Sequence, residues 1–163
     1  MKQKIVYAYV VADLLHVGHI LHLQNAKSLG GPDCKVVVGV LTDEATMEKK
    51  PKPILSFGER MRLVQSLKSV DIAVAQESYS PIPNIKRIKP DILLESTSHS
   101  EEDLKETMQV ANSIGCQVIV MPYYPEQSST KIKESVLYEW KKPENSQPKQ
   151  EPNINQENRN DSD

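Results

Sequence analysis

Residues 5–21 read I-V-Y-A-Y-V-V-A-D-L-L-H-V-G-H-I-L. The first eight, Ile5–Ala12, form an unbroken apolar and aromatic run, the pattern of a strand buried on both faces of a parallel sheet. Asp13 stops that run. A helical pattern follows from about Val17 to Leu29 and ends at Gly30-Gly31, a C-terminal stop signal. A strand that feeds a helix through a short turn opens a right-handed βαβ unit.

The same alternation continues outward to about residue 141. Further strand-like runs lie at Lys35–Leu41, Ile72–Ala75, Asp91–Leu94 and Gln117–Met121, all continuous rather than alternating. Helical stretches lie between them, at about Gly58–Lys68, Ile82–Ile88 and Glu101–Ile114. A last one follows Ser128 and runs to Trp140. The pattern predicts a single α/β domain over residues 1–141, with a five-stranded parallel sheet and helices on both faces. Ligands of such sheets bind beyond the carboxyl ends of the strands, where the strand order reverses. That places Ala12–His19, Leu41–Pro53, Leu94–Glu101 and Tyr123–Thr130 at the site.

From Lys142 to Asp163 the chain has three basic and five acidic residues and Ile154 as its only aliphatic side chain. Such a segment cannot bury enough surface to offset its ordering entropy and is expected to be a disordered polar tail. The whole chain carries a net charge of −2, so the body is near neutral, which speaks against a broad nucleic-acid surface. Cys34 and Cys116 have no metal-type spacing and are expected to be reduced thiols at the edge of the core. The apolar run before Asp13 is too short for a secretory signal, and no stretch approaches the ~20 apolar residues of a membrane span. A cytoplasmic protein without membrane partners is the default expectation.

His16 and His19 are three residues apart at a helix start, so they can share one face. Gly18 between them allows close approach to the backbone. Unpaired N–H groups at a helix N-terminus attract anions, and two imidazoles there can meet charge that builds on phosphate oxygens. His22 extends the spacing by one step and reads as a packing or surface residue. Asp13 reads as the cap of the first turn. Ser128, Ser129 and Thr130 open the last helix, where hydroxyls and free N–H groups suit both capping and phosphate binding.

These features resemble the cytidylyltransferase-like nucleotidyltransferases, most closely the glycerol-3-phosphate and phosphonate-type cytidylyltransferases. There a tyrosine-containing strand runs into D-L-L/F-H-x-G-H, as Tyr9–His19 do. V-G-V-L-T-D-E at Val38–Glu44, F-G-E-R at Phe57–Arg60, S-V-D at Ser69–Asp71 and S-S-T-K-I at Ser128–Ile132 follow in register with further family motifs. The resemblance implies a Rossmann-like fold and transfer of CMP from CTP to a small phosphate- or phosphonate-bearing acceptor, with release of pyrophosphate. It implies catalytic roles for His16, His19 and Lys49, the last with Lys50 and Lys52 as possible substitutes. It implies nucleotide contacts from Val11, Ala12, Gly18, Arg60, Ser128, Ser129 and Thr130. Mg²⁺ would arrive with the triphosphate, with no dedicated protein metal ligands, and relatives of this size are commonly homodimers. Use of ATP on a similar acceptor, or a catalytically idle nucleotide-binding module, are the alternatives.

Two departures bear on the acceptor. Where the glycerol-3-phosphate enzymes have G-D-D-W, this chain reads E-S-T-S at Glu95–Ser98. Where they have R-T-E-G, it reads Tyr123-Tyr124-Pro125-Glu126-Gln127. Glu95, Ser96, Tyr123 and Tyr124 are therefore the candidate acceptor-binding residues, and glycerol 3-phosphate is expected to be a poor acceptor. No general base is required, because a phosphate acceptor is already largely dianionic near neutral pH, with a second pKa of about 6.

Overall fold

The computed structural model describes residues 3–142. Five strands, β1 (Ile5–Val10), β2 (Lys35–Leu41), β3 (Ile72–Gln76), β4 (Ile92–Ser96) and β5 (Gln117–Met121), form one parallel sheet in the order β3-β2-β1-β4-β5. Between and after them run α1 (Val17–Gly30), α2 (Asp43–Met47), α3 (Phe57–Gln65), α4 (Ile82–Ile88), α5 (Glu101–Ser113) and α6 (Ser129–Trp140). The expected Rossmann-like α/β fold is present.

Alternation along the strands sorts side chains to two faces. Val6, Ala8 and Val10 pack with Leu23 and Ala26 of α1 and Val64 of α3. Tyr7 faces the other way, with Ile85 of α4 and Ala111 of α5. Cys34 and Cys116 are free, buried and on opposite faces. The Tyr7 hydroxyl donates to Gln76 Oε1 (2.7 Å) and accepts from Asn84 Nδ2 (2.7 Å), so its polar end is satisfied in the core. Gly39 makes room for it: a Cβ there would lie 2.0 Å from the Tyr7 hydroxyl.

The chain steps from β1 to β2 to β3, then returns to lay β4 on the other side of β1. Along β2, β1 is paired from Ile5↔Lys35 to Val10↔Val40. Along β4 it is paired only at Val6↔Ile92 and Tyr7↔Leu93. The carboxyl ends of β1 and β4 therefore part, and the crevice of the topological switch point opens there.

The differences from expectation that bear on the site are these. β1 ends at Val10, because Ala12 turns left-handed (φ 54°). α2 forms where a loop was expected, started by Thr42, whose Oγ1 accepts from Ala45 N (3.1 Å). β4 runs two residues further, through Glu95 and Ser96. The expected polar tail lies outside the described residues, apart from Lys142. Among the described residues no helix is long and apolar enough to cross a membrane.

Candidate active site

The left-handed Ala12 swings the chain off β1, and Asp13 secures the turn. One Asp13 oxygen accepts from Ile54 N (2.6 Å) and Leu55 N (3.1 Å), and the other pairs with Lys133 of α6. Burial alone would raise this carboxyl, but Lys133 and the two backbone donors outweigh it and hold it below the usual carboxylate range. Asp13 therefore clamps three segments together and is not the cap of α1. His16 is the cap.

The first turn of α1 is closed by the two histidines themselves. His16 Nδ1 accepts from Gly18 N (3.1 Å), and His19 Nδ1 accepts from His16 N (3.3 Å), a capping box built from imidazoles. Their ring centroids lie 4.0 Å apart. Gly18 is needed for this arrangement, since a Cβ would meet His16 Cε1 at 2.9 Å. The space over Gly18 is thus filled by His16.

Because both Nδ1 atoms accept backbone bonds, the neutral tautomer carries its proton on Nε2. Burial pushes His19 down to about 3, with His16, His22 and Lys50 adding to the shift, and burial also lowers His16. At neutral pH the pair offers two uncharged N–H donors side by side. Such donors can strengthen their bonds as charge accumulates on phosphate oxygens.

The histidines line a cleft of about 830 Å³, within the range of small-molecule sites. Val11, Ala12, Gly18, Ser128, Ser129, Thr130, Ser96, Tyr123 and Tyr124 line it too, so most of the expected site residues come together. The α6 N-terminus faces the same cleft. Ser128 caps it by accepting from Lys131 N (3.1 Å), and the Ser129 hydroxyl donates to Leu14 O (3.2 Å), tying α6 to the turn before α1. The N–H groups of Ser129 and Thr130 have no intrahelical partner.

Three expected residues lie elsewhere. Arg60 is fully buried behind the cleft wall. It donates to Val11 O (2.7 Å), Leu41 O (2.6 Å), Asp43 Oδ1 (2.6 Å) and Leu55 O (3.3 Å). Every arm of the guanidinium is committed to protein groups, so it binds the ends of β1 and β2 together instead of reaching into the cleft. Lys49 turns to Asp103 (2.6 Å) and lies 5.1 Å above the Tyr79 ring, whereas the adjacent Lys50 lines the cleft and loses basicity to desolvation. Glu95, one step before Ser96 in a strand, points to the opposite face. There it accepts from the Tyr9 hydroxyl (2.9 Å to each oxygen) beside His99. Burial pushes its pKa up to about 7, against the lowering effect of Tyr9. His22, expected to be packing or surface, lines the cleft. Its place in the three-residue repeat of His16 and His19 was the available signal.

The cytidylyltransferase-like family pattern matches residues 9–135 of this chain, from the aromatic end of β1 to the body of α6. The chain belongs to the cytidylyltransferase-like family. It is a nucleotidyltransferase enzyme of that family. Among its relatives is the FAD synthase of Methanopyrus kandleri, 33% identical over 146 residues that cover 86% of this chain and 97% of the relative. The FAD synthase of Archaeoglobus fulgidus is 34% identical over 130 residues, 77% of this chain and 91% of the relative. Among solved structures, the lipopolysaccharide core biosynthesis protein of Thermoplasma volcanium superposes with a TM-score of 0.64 at 26% identity. That match covers 77% of this chain and all of that one. The stretch matched by the family pattern takes in both paired histidines and the serine-threonine start of α6.

Proposed function

We propose that this enzyme is an adenylyltransferase that joins AMP from ATP to the phosphate of FMN, forming FAD and pyrophosphate. The observation that carries the reading is the one-third identity to FAD synthases across nearly their whole length. It replaces the expected CMP transfer with the ATP-using alternative, and it keeps the expectation of a phosphate-bearing acceptor.

The site chemistry supports such a transfer. An oxygen of the FMN phosphate attacks the α-phosphorus of ATP. The bond from that phosphorus to the bridging oxygen breaks, and its electron pair leaves with pyrophosphate. The attacking phosphate is already ionised near neutral pH, so the site's task is positioning and charge stabilisation. The Nε2–H groups of His16 and His19 serve as donors to the oxygens that gain charge. The α6 N-terminus, with Ser128, Ser129 and Thr130, receives the distal phosphates, and Lys50 supplies the mobile cation. Asp13, the acidic residue lining the cleft, has its oxygens engaged by Ile54, Leu55 and Lys133. Among the described residues no group of three or more acidic, His or Cys side chains converges as a metal cage. In this reading magnesium is part of the substrate, carried in by the triphosphate to neutralise its charge.

The test is pyrophosphate release with each of the four ribonucleoside triphosphates against FMN, glycerol 3-phosphate and hydroxyalkylphosphonates. ATP with FMN should exceed every other pair at least tenfold. Faster release from CTP with glycerol 3-phosphate or a phosphonate would return the enzyme to cytidylyl transfer.

A further inference from the structure

α1 carries polar side chains into the cleft well past the paired histidines. His16, His19, His22 and Asn25 recur every three residues, and all four line the cleft. At a rise of 1.5 Å per residue, His22 lies about 4.5 Å and Asn25 about 9 Å further along the helix than His19. His16 and His19 spend their Nδ1 atoms on the helix cap. The side chains of His22 and Asn25 make no hydrogen bond with another described residue. Both are half-buried.

The unused donors and acceptors of this imidazole and amide stay open to the cleft, free to bond a ligand that enters it. Their charge narrows the kind of partner. Burial holds His22 down to about 4, with His99 adding to the effect, so it is neutral at physiological pH. Asn25 is neutral by nature. Ser96 and Ser98, which line the same cleft at the end of β4, add hydroxyls that bond each other (3.1 Å) and carry no charge. The groups proposed to meet phosphate, by contrast, are the Nε2–H groups of His16 and His19, the α6 N-terminus and Lys50. These four cleft-lining side chains therefore offer neutral hydrogen bonding.

We infer that His22 and Asn25, one to two helical turns beyond His19, form with Ser96 and Ser98 of the same cleft a subsite that grips an uncharged, hydroxyl- or amide-bearing part of a substrate. The inference rests on the proposed joining of two nucleotide-like substrates, which offers two sources of that chemistry: the ribose of the donor and the polyol chain of the acceptor.

The experiment compares wild type with Asn25→Ala and His22→Phe, measuring KM for each substrate separately, kcat and the thermal midpoint. The substrates are whichever triphosphate and acceptor give pyrophosphate release with wild type. Failure of the ATP and FMN reading then shows in wild type, and failure of the subsite shows in the variants. The expected result is a rise of tenfold or more in KM for one substrate, with kcat within about twofold and the midpoint unchanged. A rise for the acceptor assigns the subsite to its polyol, and a rise for the triphosphate assigns it to the ribose. Unchanged KM for both substrates overturns the inference, as does a loss confined to kcat. Should either variant fold poorly, Asn25→Ser and His22→Gln take its place under the same criteria.

Discussion

Replacing Arg60 with methionine keeps most of the side-chain volume and removes the guanidinium that joins four segments. The carbonyls of Val11 and Leu41 lose donors at 2.7 and 2.6 Å, and an acceptor left unsatisfied in the interior costs about 1–3 kcal/mol. Asp43 is about a quarter exposed, so water recovers part of its loss. The sum is about 3–5 kcal/mol, the range for breaking a buried pair from one side. That is a large share of a typical stability of about 5–15 kcal/mol. In thermal terms it corresponds to a fall of about 10 °C or more. Urea unfolding and a thermal scan read this directly, alongside KM for the triphosphate at a temperature where the variant is still folded. The expected outcome is a large loss of stability with KM changed only a few-fold. Stability within 1 kcal/mol of wild type, together with a tenfold rise in KM, would refute the reasoning and make Arg60 a nucleotide contact.

His16→Ala and His19→Ala should each lower turnover by at least ~10²-fold, equivalent to losing one preorganised donor at ~2.7–4 kcal/mol. Because burial lowers both imidazoles below their ordinary range, wild-type turnover in the Glu95→Gln background should show no histidine titration between pH 7 and 8; a fall with rising pH there, abolished in His16→Ala or His19→Ala, would mean the pair acts as imidazolium. Lys50→Ala should raise KM for the triphosphate about tenfold, and Lys49→Ala, which breaks an exposed pair with Asp103, should change kinetics much less; the reverse order would return the loop role to Lys49. For Glu95, burial raises the folded pKa from an ordinary 4.5 to about 7, so the folded protein holds a proton that the unfolded chain has released. Stability from this group is full below about pH 4.5 and is lost as pH rises through 7. Glu95→Gln, which still accepts from Tyr9, should remove up to about 3 kcal/mol of that loss between pH 5 and 8. Parallel stability–pH curves for the two proteins would contradict it.

The sheet was readable because five buried strands are written as five continuous apolar runs, and the candidate site was readable because H-V-G-H sits where the first of them ends. What escaped local reading was decided by partners distant in sequence. Glu95-Ser96 looks like loop by composition, yet it extends β4 because Tyr9 of β1 satisfies the carboxylate from 86 residues away. Arg60 looks like a surface or ligand residue in a helix, and only carbonyls at the ends of two strands reveal it as a buried tie. The choice between Lys49 and Lys50 is made by Asp103, 54 residues on. α2 has too few apolar residues for a periodic signal. His22 was within reach of the spacing argument, but helical periodicity alone does not say which face of α1 meets the cleft.

The most direct measurement of adenylyl transfer uses ATP radiolabelled at its α-phosphorus with unlabelled FMN, with separation of flavin products from pyrophosphate. The expected result is label in a flavin dinucleotide, none in pyrophosphate, and loss of the labelled product in His19→Ala. The contradictory result is no labelled flavin from ATP, while α-labelled CTP labels a product made from another phosphate or phosphonate acceptor.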